Sequence, residues 1–105
     1  VKNSMITDGC RVDGTVKRSI LYSGVKVAAG AVVEEAVVMG GAVIKEGAVV
    51  KHCIIGENAV VGKNAVVGGM EGVATVGPDV MVGNNAKIGA NAMVRENVKD
   101  GEEKC

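Results

Sequence analysis

The sequence predicts an all-β fold, a parallel β-helix wound from one chain, and three observations predict it. The first is composition. Hydrophobic residues make up 48% of 105, yet there is no Phe or Trp, and only one Tyr and one Leu. Val occurs 22 times, Gly 16 and Ala 12. A helical bundle would want Leu and few Gly, and a disordered chain would lack the Val. The second is a six-residue period with a fixed residue chemistry, and the third is a longer period laid over it.

The six-residue period is read from an aliphatic position at Ile6, Leu21, Val27, Val38, Ile44, Ile55, Val61, Val76, Val82, Ile88 and Val94. Three places later stand Gly9, Gly24, Gly30, Gly41, Gly47, Asn58, Asn64, Asp79, Asn85, Asn91 and Asn97. Those residue types tolerate φ > 0, which a sharp corner between flat strands requires. One place further come Cys10, Val25, Ala31, Ala42, Ala48, Ala59, Ala65, Val80, Ala86, Ala92 and Val98, all small and apolar. The aliphatic and the small residue point inward, and a narrow coil has no room at its corner for anything larger. Outward positions alternate with these, as strand geometry demands.

Four shorter units carry the longer period: VKNSMI from Val1, VKRSIL from Val16, VEEAVV from Val33 and VKHCII from Val50. Each lacks the Gly or Asn corner, so Ser4, Ser19, Ala36 and Cys53 reach the small inward slot one place early. One coil is thus a five-residue side and two six-residue sides, the first coil being shorter. About six coils at roughly 4.8 Å per layer make a prism about 29 Å long. After Val67 the rhythm breaks until Val76, so Gly68 to Thr75 is expected to bulge from a corner. Residues 1–98 form the solenoid and 99–105, KDGEEKC, a charged tail expected to cap or fray from the last coil. The chain begins in step with its repeat, at Val1 and not at Met, and is expected to be a piece of a longer protein.

The pattern of aliphatic, Gly, two variable residues and a small one resembles the left-handed hexapeptide-repeat solenoid, and the handedness rests on that resemblance. The stretches VKNSMITDGCRVDGTVKRSIL and GVKVAAGAVVEEAVVMGGAVI resemble the C-terminal domain of glucose-1-phosphate adenylyltransferase (ADP-glucose pyrophosphorylase). The ending VATVGPDVMVGNNAKIGANAMV is closer to its regulatory-subunit paralogue. In that family ATP and Mg serve an N-terminal nucleotidyltransferase domain, whose Gly-rich loop and acidic metal ligands have no counterpart here. The resemblance implies a domain for oligomer assembly and effector relay in glycogen synthesis, in a homo- or hetero-oligomer. It implies no catalytic, cofactor or metal residues.

The exterior points the same way on its own. The fifth residue of each short unit faces outward, giving a stacked column Met5, Ile20, Val37, Ile54. A second column reads Val32, Val49, Val66 and a third Val43, Val60. Apolar columns on one small prism mark an interface, here Met5, Ile20, Val37, Ile54, Val32, Val49 and Val66.

Twelve basic and twelve acidic residues offer no electrostatic case for nucleic acid or an acidic membrane. No apolar run is long enough to span a bilayer, nothing resembles a signal peptide, and three scattered Cys make no disulfide framework. A reducing cytoplasm is expected. Cys10 and Cys53 fill small inward slots about three layers apart, beyond disulfide reach, and Cys105 lies in the tail.

His52 invites a different reading, because hexapeptide acyltransferases that use acetyl-CoA employ a His base. Its column reads Asn3, Arg18, Glu35, His52 beside Lys2, Lys17, Glu34, Lys51, which is an alternating charge ladder on a solvated face. One His cannot supply the three that a hexapeptide carbonic anhydrase needs. The Arg18, Lys17, Lys51 cluster and the Gly68 to Thr75 loop are further possible contacts, the first for a phosphorylated effector, the second for a subunit or ligand. An assembly domain is therefore the main expectation and an acyltransferase fragment with His52 as base the alternative.

Overall fold

In a computed structural model residues 4–6, 9–69, 73–89 and 92–104 are described. All regular structure among them is short parallel β-strand wound into a three-sided coil. The first face stacks Met5–Ile6, Ile20–Leu21, Val37–Val38, Cys53–Ile55, Ala74–Val76 and Met93–Val94. The second stacks Arg11–Val12, Lys26–Val27, Val43–Ile44, Val60–Val61 and Met81–Val82. The third stacks Thr15–Lys17, Val32–Glu34, Val49–Lys51, Val66–Val67, Lys87–Ile88 and Glu103–Lys104. Successive pairings on the first face, Met5 to Ile20, Val37, Ile54, Thr75 and Met93, mark five turns and not the six expected. The longest dimension is 31 Å.

The inward positions form one dry column. Leu21, Val38, Ile44, Ile55, Val61 and Val67 are wholly buried, as are the small-slot residues Ala31, Ala42, Ala48, Ala59 and Ala65. Backbone groups pair between coils, as in Tyr22 N–H to Val38 O at 2.9 Å and Lys45 N–H to Val61 O at 3.0 Å. The one buried polar side chain among the described residues, Ser19, is satisfied twice. Its hydroxyl donates to Lys17 O at 2.7 Å and accepts from Ala36 N–H at 3.1 Å. Ser4 Oγ repeats the device one layer down, accepting from Ser19 N–H at 3.2 Å.

Nine of the eleven expected corner residues are left-handed, from Gly9 at φ 80° to Asn85 at φ 61°. Asn91 lies outside the described residues, and Asn97 departs from the pattern. Its side-chain oxygen accepts from Met81 N–H at 2.9 Å, and Val98 arrives beside Val82, two places earlier than the repeat predicts. The chain cuts that corner. It does the same in the first coil, where Val12 and Val16 are four apart because Gly14 passes under the carbonyls of Ala28 and Ala31, too close for any Cβ.

Two boundaries also move. Ala74 and Thr75 are strand residues paired with Cys53 and Ile54, so the insertion ends at 73, and residues 70–72 of it lie outside the described residues. The tail continues the coil: Gly101 makes a left-handed corner and Glu103–Lys104 adds a strand to Lys87–Ile88. The short units do turn on left-handed residues, Arg18, Glu35 and His52 at φ 45°, 50° and 47°. Lys2, Asn3 and Cys105 fall outside the described residues.

Cys53 occupies its inward slot at 2% exposure, and burial pushes its thiol up from 9.0 to about 12. Cys10, half-buried, donates through Sγ to Tyr22 O at 3.0 Å.

These observations set four expectations. Ala48→Leu overpacks a closed corner and costs about 1–3 kcal/mol. Gly41→Val places a β-branched residue at φ 73°, where Asn58 Oδ1 already fills the Cβ position, and costs about 1–2 kcal/mol. Wild-type denaturation curves for both would refute the register. Cys53 resists iodoacetamide at pH 8 while the chain is folded, and mass spectrometry reads labelling only on unfolding. Because the unfolded thiol ionises near pH 9 and the folded one near 12, the contribution of Cys53 to stability is intact below pH 9. It is lost progressively as pH rises from 9 to 12.

Candidate docking faces and the corner charge ladder

Every inward position is committed to the core, so whatever the protein does is done from outward side chains. The three faces differ sharply. On the first, the outward column is Met5, Ile20, Val37, Ile54, Thr75 and Met93, in register across all six strands. Met5, Ile20 and Met93 are 67%, 39% and 66% exposed, while Val37 and Ile54 in mid-column are half-buried by their neighbours. Beside it run Tyr22, Met39, Gly56 and Gly77, and no strand residue of this face carries a charge. Thr75 and Met93 extend the column beyond the four residues the sequence singled out, and Tyr22 adds an aromatic ring beside it. Ala92-Met93-Val94 repeats the small–outward–aliphatic order of Ser19-Ile20-Leu21, a signal that could have found it.

The third face brings Val32, Val49 and Val66 into one column, with Val66 the most open. Lys17, Glu34 and Lys51 alternate beside it in direct register. The second face joins Val43 and Val60 but surrounds them with Arg11, Lys26 and Lys45.

Between the third and first faces the corner carries Arg18, Glu35 and His52 one above another. Glu35 bridges its neighbours. Its Oε1 accepts from Arg18 Nη2 at 3.0 Å, and its Oε2 lies 3.2 Å from His52 Nε2. Arg18 also reaches Glu34 Oε1 at 3.4 Å. Glu35 N–H and His52 N–H donate to the carbonyls of Lys17 and Glu34 in the preceding coil. His52 is thus a rung of the ladder, its Nε2 engaged by the Glu35 carboxylate. Lys17 and Lys51 flank the ladder with Arg18. Among the described residues no group of three His, Cys, Asp or Glu could hold a metal, and no helix is long and apolar enough to cross a membrane. An open hollow of about 400 Å³ joins Arg18 and Glu35 of the ladder to Ile20 and Val37 of the apolar column.

Comparison with known proteins fits this geometry. Among curated proteins, the chain is 50% identical over 34 residues to a glucose-1-phosphate adenylyltransferase from Geobacillus stearothermophilus, covering 32% of this chain and 9% of that one. It is 54% identical over 33 residues to the glycogen biosynthesis protein GlgD of the same organism, covering 31% and 10%. The matched stretch is therefore about a tenth of either relative's length. Among solved structures, the acetyltransferase domain of PglB from Neisseria gonorrhoeae superposes with a TM-score of 0.70 at 16% identity, over 96% of this chain and 50% of that one. A perosamine N-acetyltransferase from Caulobacter crescentus gives 0.69 at 17%, over 96% and 49%. At such identities the likeness is one of fold. The model of the GlmU-like C-terminal hexapeptide family matches residues 1–74, most of the solenoid, and the chain belongs to that family.

Proposed function

We propose that this chain is the C-terminal assembly and regulatory domain of a glucose-1-phosphate adenylyltransferase of glycogen synthesis, acting in the cytoplasm and carrying no catalytic site of its own. The observation that carries this reading is the first face: six strands deep, without a charged strand residue, and apolar from Met5 to Ile54 and again at Met93. Contiguous apolar surface of that kind on a small rigid prism is covered in the working protein. The adenylyltransferase and GlgD relatives support the parent's identity, and their length, roughly three to four times that of this chain, supports an N-terminal nucleotidyltransferase domain as one partner. ATP and Mg belong to that domain in this reading. Other subunits, identical or paralogous, are the second kind of partner, across the columns that include Val32, Val49 and Val66.

A second reading draws on one contact, the 3.2 Å approach of Glu35 to His52, which resembles a base held by its orienting carboxylate. In it the chain is part of an acetyl-CoA-dependent acyltransferase with His52 as base. The ladder weakens this reading, because Arg18 competes for the same carboxylate.

Light scattering on the purified chain, with and without the separately produced nucleotidyltransferase domain, separates the two. Association is expected, indifferent to acetyl-CoA, and Ile20→Asp and Ile54→Asp abolish it while leaving the fold intact. Association unchanged in both variants removes the first face as the interface. Stabilisation by acetyl-CoA, with acyl transfer lost in His52→Ala, replaces the assembly reading with the acyltransferase.

A further inference from the structure

On the second face, between coils one and four, the outward positions nearest the next corner read Asp13, Ala28, Lys45. The small Ala28, between Asp13 and the long Lys45, leaves a shallow groove of about 370 Å³. Its floor is apolar, made by Ala28 and Val43, and its walls are Arg11, Lys26, Lys45 and Lys63. Two acids also line it, and both are engaged: Asp13 with Arg11 at 3.0 Å and Glu46 with Lys63 at 4.0 Å. Among the described residues Lys26 and Lys45 have no acidic partner. Lys45 is half-buried, and both lysines line the groove. In a chain with equal numbers of acids and bases, the groove's four cations and two acids leave a local excess of two positive charges beside an apolar floor.

We propose that this groove binds a phosphate monoester whose uncharged body lies on Ala28 and Val43, the phosphate resting between Lys26 and Lys45. Two free ammonium groups match the charge of a phosphate dianion, about −1.5 to −2 near neutral pH, better than the single charge of a carboxylate. The apolar floor selects an ester over inorganic phosphate. The site is independent of the assembly reading, because the first face contributes nothing to it.

Phenyl phosphate, benzoate and inorganic phosphate are the probes, titrated against the intact chain and followed by amide chemical shifts. Phenyl phosphate is expected to bind several-fold tighter than either of the others, with the largest shifts at Ala28 and Val43. The double variant Lys26→Ala/Lys45→Ala loses at least ten-fold in affinity with unchanged melting, while Lys87→Ala on the third face has no effect. Equal binding of phenyl phosphate and inorganic phosphate overturns the proposal. So does equal binding of benzoate, an equal loss in Lys87→Ala, or shifts scattered over all three faces.

Discussion

The structure depends on making a tight corner at almost every sixth residue without exposing the core. A flat strand can change direction that sharply only if one residue adopts a left-handed backbone and the next inward side chain is small. For an ordinary L-residue the left-handed conformation costs roughly 1–2 kcal/mol, which is why Gly, Asn and Asp fill the corners of the six-residue sides. The small inward residue follows from the same geometry: three chains of side chains converge there, and Ala is what fits between Val, Ile and Leu at zero exposure. Once the corners are set, strand register, dry core and stacked exterior all follow, because each coil lies directly on the last.

The third corner solves the problem differently. Arg18, Glu35 and His52 are left-handed with neither glycine's freedom nor asparagine's tolerance. Their compensation is visible in the hydrogen bonds: Glu35 and His52 donate their amides to the coil below, and the three side chains bind one another through Glu35. Exposed ion pairs are worth little singly, but a shared carboxylate holding two neighbours resists fraying better than isolated pairs. The charge ladder is therefore a structural part of the corner as well as a solvated face.

This division explains what the sequence reveals. Corners built on Gly, Asn and Asp announce themselves, and so do the aliphatic and small slots, because composition and geometry coincide there. The third corner is nearly silent, since Arg and Glu carry no signature of left-handed backbone and His only a weak one. The shortcut at Asn97 is equally hidden, since the residue looks like an ordinary member of the pattern and only its contact with Met81 reveals its role. The shorter first coil was legible, but not that Gly14 makes it by passing under Ala28 and Ala31. Glu102 disguises the last corner by standing where Ala or Val is expected, its carboxylate turned back to accept from Lys99 N–H at 3.0 Å. The apolar columns were legible as far as the repeat was regular; beyond the insertion Met93 continues the first one with the same small–outward–aliphatic signal, while the polar Thr75 gives none.

A solenoid of this kind separates fold from function more completely than most domains do. Its interior is the same in every layer, so nothing inward distinguishes one family member from another. What distinguishes this chain is the unequal treatment of its three outer faces: one uncharged, one alternating in sign, one carrying unpaired lysines over an apolar floor. Flat faces make shallow hollows, and a shallow hollow cannot exclude water around a reacting group unless another surface closes it. Association is therefore the natural use of such a prism, and binding at its grooves is completed or modulated by whatever lies against the adjoining face.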